Sequence, residues 1–336
     1  MSGPGRVELA PGLRTAPLGF GAMALTPVYG GIDPEAALET LNAVIDAGID
    51  MIDTADGYGG GENERLIARL LAERRGEVTV ATKVGIVGNP QRGRTGTAAT
   101  DNSPAYIHAA ARESLARLGV EAIDLLYLHR RDERVPIEEA VGAMAELVDR
   151  GLVRHLGLSE VTAGELRAAA AVHPIAALQS EWSVWSRDIE ARVVPAAAEL
   201  GVGVVPYAPL GRGFLAGALD ASAPLGEGDF RRNLPRFADS ARAENASVGE
   251  LIRAVADEVA ATAAQVSLAW LYAAGRRAGV TVVPIPGTRR PERVRENLGA
   301  LSLALSEAQM ERLDAAAERT SGARFGDLSW VSQGRE

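Results

Sequence analysis

Four polar residues lie at or just beyond the ends of three short apolar segments of the sequence. Asp53 ends IDMID, Lys83 ends VTVATK and His129 follows IDLLYL, whereas Tyr58 stands in the glycine-rich stretch DTADGYGGG. If the three segments are successive parallel strands of a barrel, their ends are neighbours and the four side chains can converge. The arrangement predicts a catalytic site made of these four residues, called the tetrad below.

The chemistry available to the tetrad is proton transfer to an alkoxide as it forms. A tyrosine hydroxyl has an ordinary pKa of about 10, too high for efficient proton donation and return near neutral pH. A neighbouring ammonium favours the phenolate, and a carboxylate keeps that ammonium charged and oriented. A histidine can polarise a carbonyl oxygen or share the proton. Because the tetrad contains no obvious nucleophile and no metal-ligand set, we expect a bound cofactor to supply the reducing equivalent.

Each member of the tetrad also has an ordinary structural interpretation. Asp53 could cap the junction between strand and loop, and Tyr58 could anchor the glycine loop. His129 could join an ion network with the charged residues that follow it. The combination of four such residues at three successive strand ends favours catalysis over these separate roles.

Lys83 is the only lysine among the 35 basic residues of the chain. Arginine cannot be deprotonated in proteins, whereas the compact ammonium of lysine shifts its pKa readily when it is buried. The single lysine therefore indicates a site that needs a compact or titratable amine, although composition alone leaves chance survival equally open.

The composition excludes several classes of protein. The 336 residues carry a net charge of −9 and include no cysteine, which rules out disulfides, thiolate metal sites and a cysteine nucleophile. The basic residues are scattered, so no nucleic-acid partner is expected. No apolar run approaches the roughly 18 residues of a membrane span, and the first residues lack a signal-peptide pattern. We expect a cytoplasmic protein with no membrane partner.

Short β-rich segments alternate with amphipathic helical segments along the whole chain. The eight predicted strands are Pro17–Gly21, Ile49–Asp53, Val78–Lys83, Ala122–Leu128, Val153–Leu158, Ala176–Gln179, Val202–Tyr207 and Thr281–Ile285. Alternation with short connections implies parallel strands and right-handed crossovers. Eight units favour an α/β fold of the closed (β/α)8, or TIM barrel, type over an open doubly wound sheet.

The ends of the predicted helices carry recognisable signals. Asp33-Pro34 and Ser103-Pro104 are helix starts, and glycines close helices just before the next strand, at Gly48, Gly119, Gly151 and Gly201. Arg6–Leu9 and Leu13–Ala16 predict an N-terminal β-hairpin at the barrel floor. No break in composition divides the chain, so residues 1–336 are predicted to form one domain.

Two long connections leave the carboxyl ends of predicted strands, where barrel enzymes place their sites. They are Gly85–Asn102 and Gly211–Asn245, and both are candidate lids over the site. The segment 321–336 could also contribute to the pocket. Loop sequence does not reveal its shape, so the identity of the substrate stays open.

The pattern G-x-G-x-x-A occurs at Gly19–Ala24 and again at Gly211–Ala216. It is a weak signal for a dinucleotide-binding fold, because that fold requires a helix to open directly from the glycine loop. Gly19–Ala24 runs instead into LTPVYGG, which reads as a loop. These glycines are better explained by close approach of backbone to something at the barrel mouth.

The chain resembles the aldo-keto reductase family, in its bacterial and plant branch, from about Leu18 to Leu303. The matching motifs are DTADGYGGGENE (53–64), VATKVG (80–85), LYLHRRD (126–132), VRHLGLSE (153–160), LQSEWS (178–183), VVPYAPLGRGFLAG (204–217) and IPGTRRPERVRENLGAL (285–301). The resemblance implies that the tetrad is catalytic, that Tyr58 is the general acid, and that NADPH supplies the hydride.

The resemblance also implies a set of cofactor-binding residues. The nicotinamide carboxamide matches Ser159, Glu160 and Gln179, and the aromatic that stacks on the ring matches Tyr207. The pyrophosphate loop matches Leu210, Gly211 and Arg212. The adenosine end matches Gly287, Thr288, Arg289, Arg293, Glu296 and Asn297. Gly21, Ala22, Met23, Asp53 and Ala208 complete the expected contacts.

A preference for NADPH over NADH follows from the residues around Arg289. Gly-Thr-Arg leads from the last predicted strand into a helix that begins near Pro291, and a glycine loop that feeds a helix N-terminus is an anion site. Arg289 and Arg293 add guanidinium groups suited to a 2′-phosphate. An ordinary exposed arginine pair is the alternative interpretation.

Four positions depart from the commonest family pattern. Glu160 stands where many members have Asn, which makes its carboxamide contact less certain, and Gly287 stands where other branches use Lys. Ala208 replaces a frequent Ser, and Trp182 replaces a frequent Tyr. Recognition of phosphate therefore moves onto the arginines.

The predicted function is NADPH-dependent reduction of aldehydes or ketones to alcohols. One alternative is a cofactor-binding regulatory subunit like the reductase-like β subunits of potassium channels, which retain the tetrad. A second is a Schiff-base aldolase that uses Lys83. That chemistry needs a desolvated, unpaired lysine, whereas Asp53 should hold this one charged.

Overall fold

Parallel strands, hydrogen bonded in sequence order, form the centre of the molecule in a computed structural model that describes residues 4–87, 99–219 and 224–336. The strands are β1 Val7–Ala10, β2 Leu13–Thr15, β3 Phe20–Gly21, β4 Met51–Asp53, β5 Thr79–Val84, β6 Ile86–Val87, β7 Ala99–Thr100, β8 Ile123–Leu128, β9 Val153–Ser159, β10 Ile175–Glu181 and β11 Gly203–Tyr207. The main sheet has the order β3-β4-β5-β8-β9-β10-β11, and all its pairs are parallel.

The segment 281–285 lies as an eighth strand between the two edges of this sheet. On one side, the N–H groups of Val283 and Ile285 donate to β11, and that of Val204 donates to Thr281 O at 2.8 Å. On the other side, Gly19 N donates to Pro284 O at 2.9 Å, next to β3. The predicted (β/α)8 barrel is therefore confirmed.

Helices surround the strands. They are α1 Pro34–Asp46, α2 Glu62–Arg74, α3 Pro104–Leu118, α4 Ile137–Asp149, α5 Ala163–Val172, α6 Val193–Leu200, α7 Asp239–Glu258, α8 Ala263–Ala278, α9 Pro291–Leu298 and α10 Glu307–Asp314. The predicted starts are confirmed, because Asp33 and Ser103 accept hydrogen bonds from Ala36 N and Tyr106 N. Among the described residues, no helix is both long and apolar enough to cross a membrane.

The N-terminal hairpin closes the floor of the barrel, as the sequence predicts. β1 and β2 pair antiparallel through the turn at Gly12, and Leu9 and Leu13 are buried in the barrel interior. At the start of β11, a Cβ added to Gly203 would lie 2.6 Å from Leu9 O. Only glycine leaves room there for the hairpin.

The two long connections are partly structured. After β5, the short strands β6 and β7 pair antiparallel, with residues 88–98 outside the described part. In the second connection, α7 begins at Asp239, so the predicted loop ends earlier than Asn245; residues 220–223 also lie outside the described part. The early start follows from DSARAE, which supplies an acidic first turn and good helix formers.

Candidate active site

Lys83 contacts two of the other three predicted catalytic residues, Asp53 and Tyr58. From the end of β5, its Nζ donates to Asp53 Oδ1 at 2.5 Å and to Thr54 O at 2.7 Å. The same Nζ lies 3.4 Å from the Tyr58 hydroxyl. The side chains of Lys83 and Asp53 are only 1% and 3% exposed, so the pair is an ion pair removed from water. It holds a positive charge directly against the tyrosine oxygen.

The register of the sheet explains why Asp53 and Lys83 meet. Asp53 on β4 lies opposite Ala81 on β5, so Lys83 stands two residues further along and on the same face. The loop after β4 continues the ladder, because Thr54 N donates to Ala81 O and Asp56 N donates to Lys83 O. The site is thus an extension of the barrel's hydrogen-bond network.

Glycines bring Tyr58 back over the site. Gly59, Gly60 and Gly61 have φ angles of 61°, 68° and 91°, in the left-handed region that other residues rarely adopt. A Cβ at Gly61 would also lie 2.7 Å from the Arg117 side chain. The run GGG after Tyr58 is required by this turn.

His129 completes the tetrad as a neutral imidazole. Its backbone N–H donates to Val84 O at 2.8 Å, which continues the ladder from β5 to β8. Its ring meets Tyr58 edge-on, with ring centroids 5.8 Å apart. Burial, together with the charges of Arg130 and Lys83, holds the pKa of His129 well below its usual value. At neutral pH the ring therefore carries a single proton.

The charge of Lys83 is maintained despite burial. Burial acts against the ammonium, but the negative charge of Asp53 and the hydrogen bonds to Asp53 and the Tyr58 oxygen outweigh it and raise the pKa of Lys83. Burial also raises the pKa of Asp53, against the attraction of Lys83. Gln179 Nε2 donates to Asp53 Oδ2 at 2.8 Å, so both carboxylate oxygens are bonded.

One cavity of about 550 Å³ is lined both by three members of the tetrad and by most of the predicted cofactor residues. Asp53, Tyr58 and His129 face it, whereas Lys83 lies behind them. The predicted cofactor residues that line it are Gly21, Met23, Asp53, Gln179, Tyr207, Ala208, Leu210, Arg212, Gly287, Thr288, Arg289, Arg293 and Asn297. Those that do not line it are Ala22, Ser159, Glu160, Gly211 and Glu296.

Arg289 donates its hydrogen bonds to the backbone of this chain. Its guanidinium donates to five carbonyl oxygens of the loop after β3, those of Ala24, Thr26, Tyr29, Gly30 and Gly31. A guanidinium has five N–H donors, so none remains for a ligand in this conformation. Arg293, by contrast, gives one nitrogen to Glu296 and keeps other donors at the cavity.

Glu160 is the centre of a buried polar cluster. Its carboxylate accepts hydrogen bonds from the Tyr207 hydroxyl at 2.7 Å and from Glu181 N at 3.0 Å. Arg324 reaches both of its oxygens, at 3.0 and 3.3 Å. Burial opposes the charge of Glu160, but Arg324 and Arg130 outweigh burial and lower its pKa to about 2. The carboxylate is thus ionised and occupied by the chain's own donors.

Arg324 belongs to the C-terminal segment, residues 321–336, which lies over the barrel mouth. Arg335 donates to Glu160 O at 2.6 Å, and Ser332 also contacts the Glu160 carboxylate. Between these anchors, Phe325 and Trp330 line the cavity. The segment therefore forms part of the pocket wall, as the sequence suggested.

Several residues that line the cavity were not predicted. Three of them have a signal in the sequence that could have indicated the site. Arg130 follows His129 directly, and Phe230 and Arg231 stand in the motif DFRRNLPRF of the second long connection. Tyr29 carries no local signal for a site, and Ile86 belongs to the first long connection, a predicted candidate lid, without being singled out within it. They become lining residues only through the folding of their loops.

Comparison with known proteins gives a consistent result. The profile of the aldo/keto reductase family matches residues 17–318. A glycerol dehydrogenase from Gluconobacter oxydans is 26% identical, with 92% of this chain and 93% of that chain covered and a TM-score of 0.81. An aldo-keto reductase from Bacillus halodurans, in its holo form, is 25% identical, covering 98% and 99%, with a TM-score of 0.73. A thermostable aldo-keto reductase in complex with the inhibitor epalrestat is 28% identical, covering 93% and 99%, with a TM-score of 0.71.

Removing Arg324 should destabilise the protein strongly. In Arg324→Met, Glu160 stays buried without its ion-pair partner, which typically costs about 3–5 kcal/mol of the free energy of unfolding. The folded protein lowers the pKa of Glu160 to about 2. The ion pair therefore stabilises the fold when the pH is above the pKa of this carboxyl in the unfolded chain, and the stabilisation is lost as the pH falls towards the folded-state pKa. Denaturant unfolding at neutral and acidic pH should therefore show a difference from the wild type that shrinks in acid.

Two further variants control this prediction. Arg319→Met removes an exposed arginine of the same region and should change stability little. The double variant Glu160→Gln/Arg324→Met should recover much of the loss, because position 160 then no longer carries a buried, unpaired charge. Equal stability of Arg324→Met and Arg319→Met would contradict the assignment.

Proposed function

This chain belongs to the aldo/keto reductase family, and we propose that it reduces aldehydes and ketones to alcohols with NADPH, using Tyr58 as the general acid. The observation that carries the proposal is the contact of Tyr58 with a buried, charged Lys83, at 3.4 Å. An ammonium at this distance stabilises negative charge on the tyrosine oxygen as its proton leaves. We propose a cytoplasmic location, with which the absence of cysteine is compatible.

Tyr58 is the proposed proton donor. Its hydroxyl faces the cavity, and it would give its proton to the carbonyl oxygen of the substrate as that oxygen gains negative charge. Lys83 holds the resulting phenolate, and Asp53 holds Lys83. Both supporting charges are fixed before the substrate arrives, so no reorganisation is needed during the reaction.

His129 would orient the carbonyl. Its ring faces the cavity beside Tyr58, and its lowered pKa keeps it neutral. A neutral imidazole has one N–H, which can donate to the carbonyl oxygen without adding a second proton source. The division of labour is proton transfer by Tyr58 and polarisation by His129.

When bound, reduced nicotinamide would supply the hydride, and the cavity fits such a cofactor. Gly21 and Gly287 pack closely against each other and leave its wall free of bulky side chains there. Tyr207 presents an aromatic ring, and the buried guanidinium of Arg212 offers a charge for the pyrophosphate. We propose that the remaining predicted cofactor residues that line the cavity complete the contacts.

Arginines at the start of α9 would recognise the 2′-phosphate of NADPH. Arg293 and its neighbour Arg290 both line the cavity, and Thr288 lies beside them. Arg289 would act indirectly, because its five donors hold the loop 24–31 in place. The proposed phosphate site thus differs from the sequence expectation, in which Arg289 itself contacts the phosphate beside Arg293.

The burial of Lys83 argues against the aldolase alternative. A Schiff-base lysine must reach the substrate carbonyl with an unpaired amine. Lys83 is ion paired with Asp53 and does not line the cavity. Its position suits it to stabilise the Tyr58 phenolate instead.

Replacement of Tyr58 by phenylalanine should remove the proton donor alone. We expect turnover of an aldehyde by Tyr58→Phe to fall about 10²–10⁴-fold, while NADPH binding, followed by fluorescence, stays unchanged. Tyr272→Phe is the matched control, since it deletes a partly buried hydroxyl that donates to Pro17 O away from the cavity. Near-normal turnover of Tyr58→Phe would remove Tyr58 from the proposed role.

NADPH should be preferred to NADH because a phosphate gains charge-assisted hydrogen bonds from arginine. Such bonds predict a kcat/KM about 10- to 100-fold higher with NADPH, measured with one aldehyde. Arg293→Met should narrow this ratio, whereas Arg295→Met, an exposed arginine on the same helix, should not. Equal kcat/KM with the two cofactors would overturn the preference.

A further inference from the structure

The cavity beside the tetrad contains a guanidinium that the proposed proton transfer does not use. We propose that Arg130 binds a carboxylate of the substrate, so that the preferred substrates are aldehydes or ketones that carry a negatively charged group. The inference rests on the proposed carbonyl reduction and specifies its substrate class.

Arg130 is buried but lacks a carboxylate partner. It is 7% exposed and lines the cavity, and its Nη1 donates to His129 O at 2.7 Å and to Ser159 Oγ at 2.9 Å. Among the described residues, no aspartate or glutamate forms an ion pair with it, and its Nε is buried without a hydrogen bond. A buried charge of this kind is costly unless a partner neutralises it.

The acidic groups nearby are occupied by other arginines. Glu160 is held by Arg324, and Asp188 also receives a hydrogen bond from Arg324. Glu181 lies 3.5 Å from Arg212 and 3.6 Å from Arg236. The cluster therefore contains three carboxyl groups and, with Arg130, four guanidiniums. Burial raises the pKa of Asp188 to about 6, which favours the neutral form of this carboxyl and so adds no negative charge to the cluster. Among the described residues, Arg130 is the one guanidinium of these four with no carboxylate within ion-pair distance, although its charge also acts on Glu160.

The position of Arg130 ties this charge to the reacting carbonyl. It follows His129 in the chain and binds the carbonyl oxygen of that residue, so an anion on its guanidinium would lie close to the tetrad. Two aromatic rings lie near it, because the guanidinium carbon is 5.9 Å from the ring centroid of Tyr207 and 5.8 Å from that of Trp330. A planar guanidinium beside aromatic rings suits a carboxylate on a flat or short carbon skeleton.

The first test compares substrates that differ only in charge. Wild-type protein with NADPH is assayed with 3- and 4-carboxybenzaldehyde and with the matching carboxamides. We expect kcat/KM to be about 10- to 100-fold higher for at least one acid than for its amide, the value of a charge-assisted hydrogen bond. Equal values, or higher values for both amides, would overturn the inference.

Variants of Arg130 then assign the preference. Arg130→Met should abolish the selectivity, because it raises KM for the acids far more than for the amides. Arg130→Lys should keep part of it, because the charge remains. Arg232→Met removes an exposed charge from the second long connection and should leave the selectivity unchanged. A loss of NADPH affinity in Arg130→Met, with both substrate types affected equally, would instead make Arg130 a cofactor residue.

A binding measurement separates this inference from the proposed function. Benzoate, but not benzamide, should raise the thermal unfolding temperature of the wild-type protein, and Arg130→Met should lose the effect. If no carbonyl compound is reduced but benzoate still protects, the proposed function fails and the anion site stands. If both benzaldehydes are reduced equally and benzoate gives no protection, only the anion site fails. If Arg130→Met does not fold, the inference is still decided by the two wild-type measurements, the acid-to-amide ratio of kcat/KM and the protection by benzoate.

Discussion

The ion pair between Lys83 and Asp53 is the constraint on which the site depends. Two charges removed from water inside a barrel must be paired and hydrogen bonded, or the fold loses several kcal/mol. Here Asp53 satisfies one side of Lys83, Thr54 O satisfies another, and Tyr58 occupies the third. Gln179 then completes Asp53. The arrangement places a fixed positive charge behind the tyrosine and explains why the barrel tolerates it.

The same electrostatic logic extends to the rest of the mouth of the barrel. His129 is kept neutral by burial and by the cations on either side of it, so only Tyr58 is left as a ready proton donor. Glu160 is ionised because Arg324, from the C-terminal segment, pairs with it. That pair ties the end of the chain to the strand ends and sets Trp330 against the cavity. Catalytic support and pocket shape thus share one buried network.

Much of the fold follows from local sequence signals, and the tetrad follows from the strand ends they define. Asp33 and Ser103 cap helices, and the glycines after Tyr58 permit a left-handed turn, so these features are written in short segments. The pairing of Glu160 with Arg324 and the five carbonyl bonds of Arg289 are not. They join residues more than 150 positions apart, and no periodicity or motif near either partner indicates them. Such contacts depend on how the loops meet.

The most direct test of the central claim is the turnover of Lys83→Arg with NADPH and an aldehyde. This variant keeps the formal charge but replaces a compact ammonium with a larger planar group in a fully buried site. The account predicts a loss of about 100-fold or more, close to that of Lys83→Met, with NADPH binding and thermal stability measured in parallel. Wild-type turnover in a folded Lys83→Arg protein would contradict it, since any cation would then serve in place of Lys83.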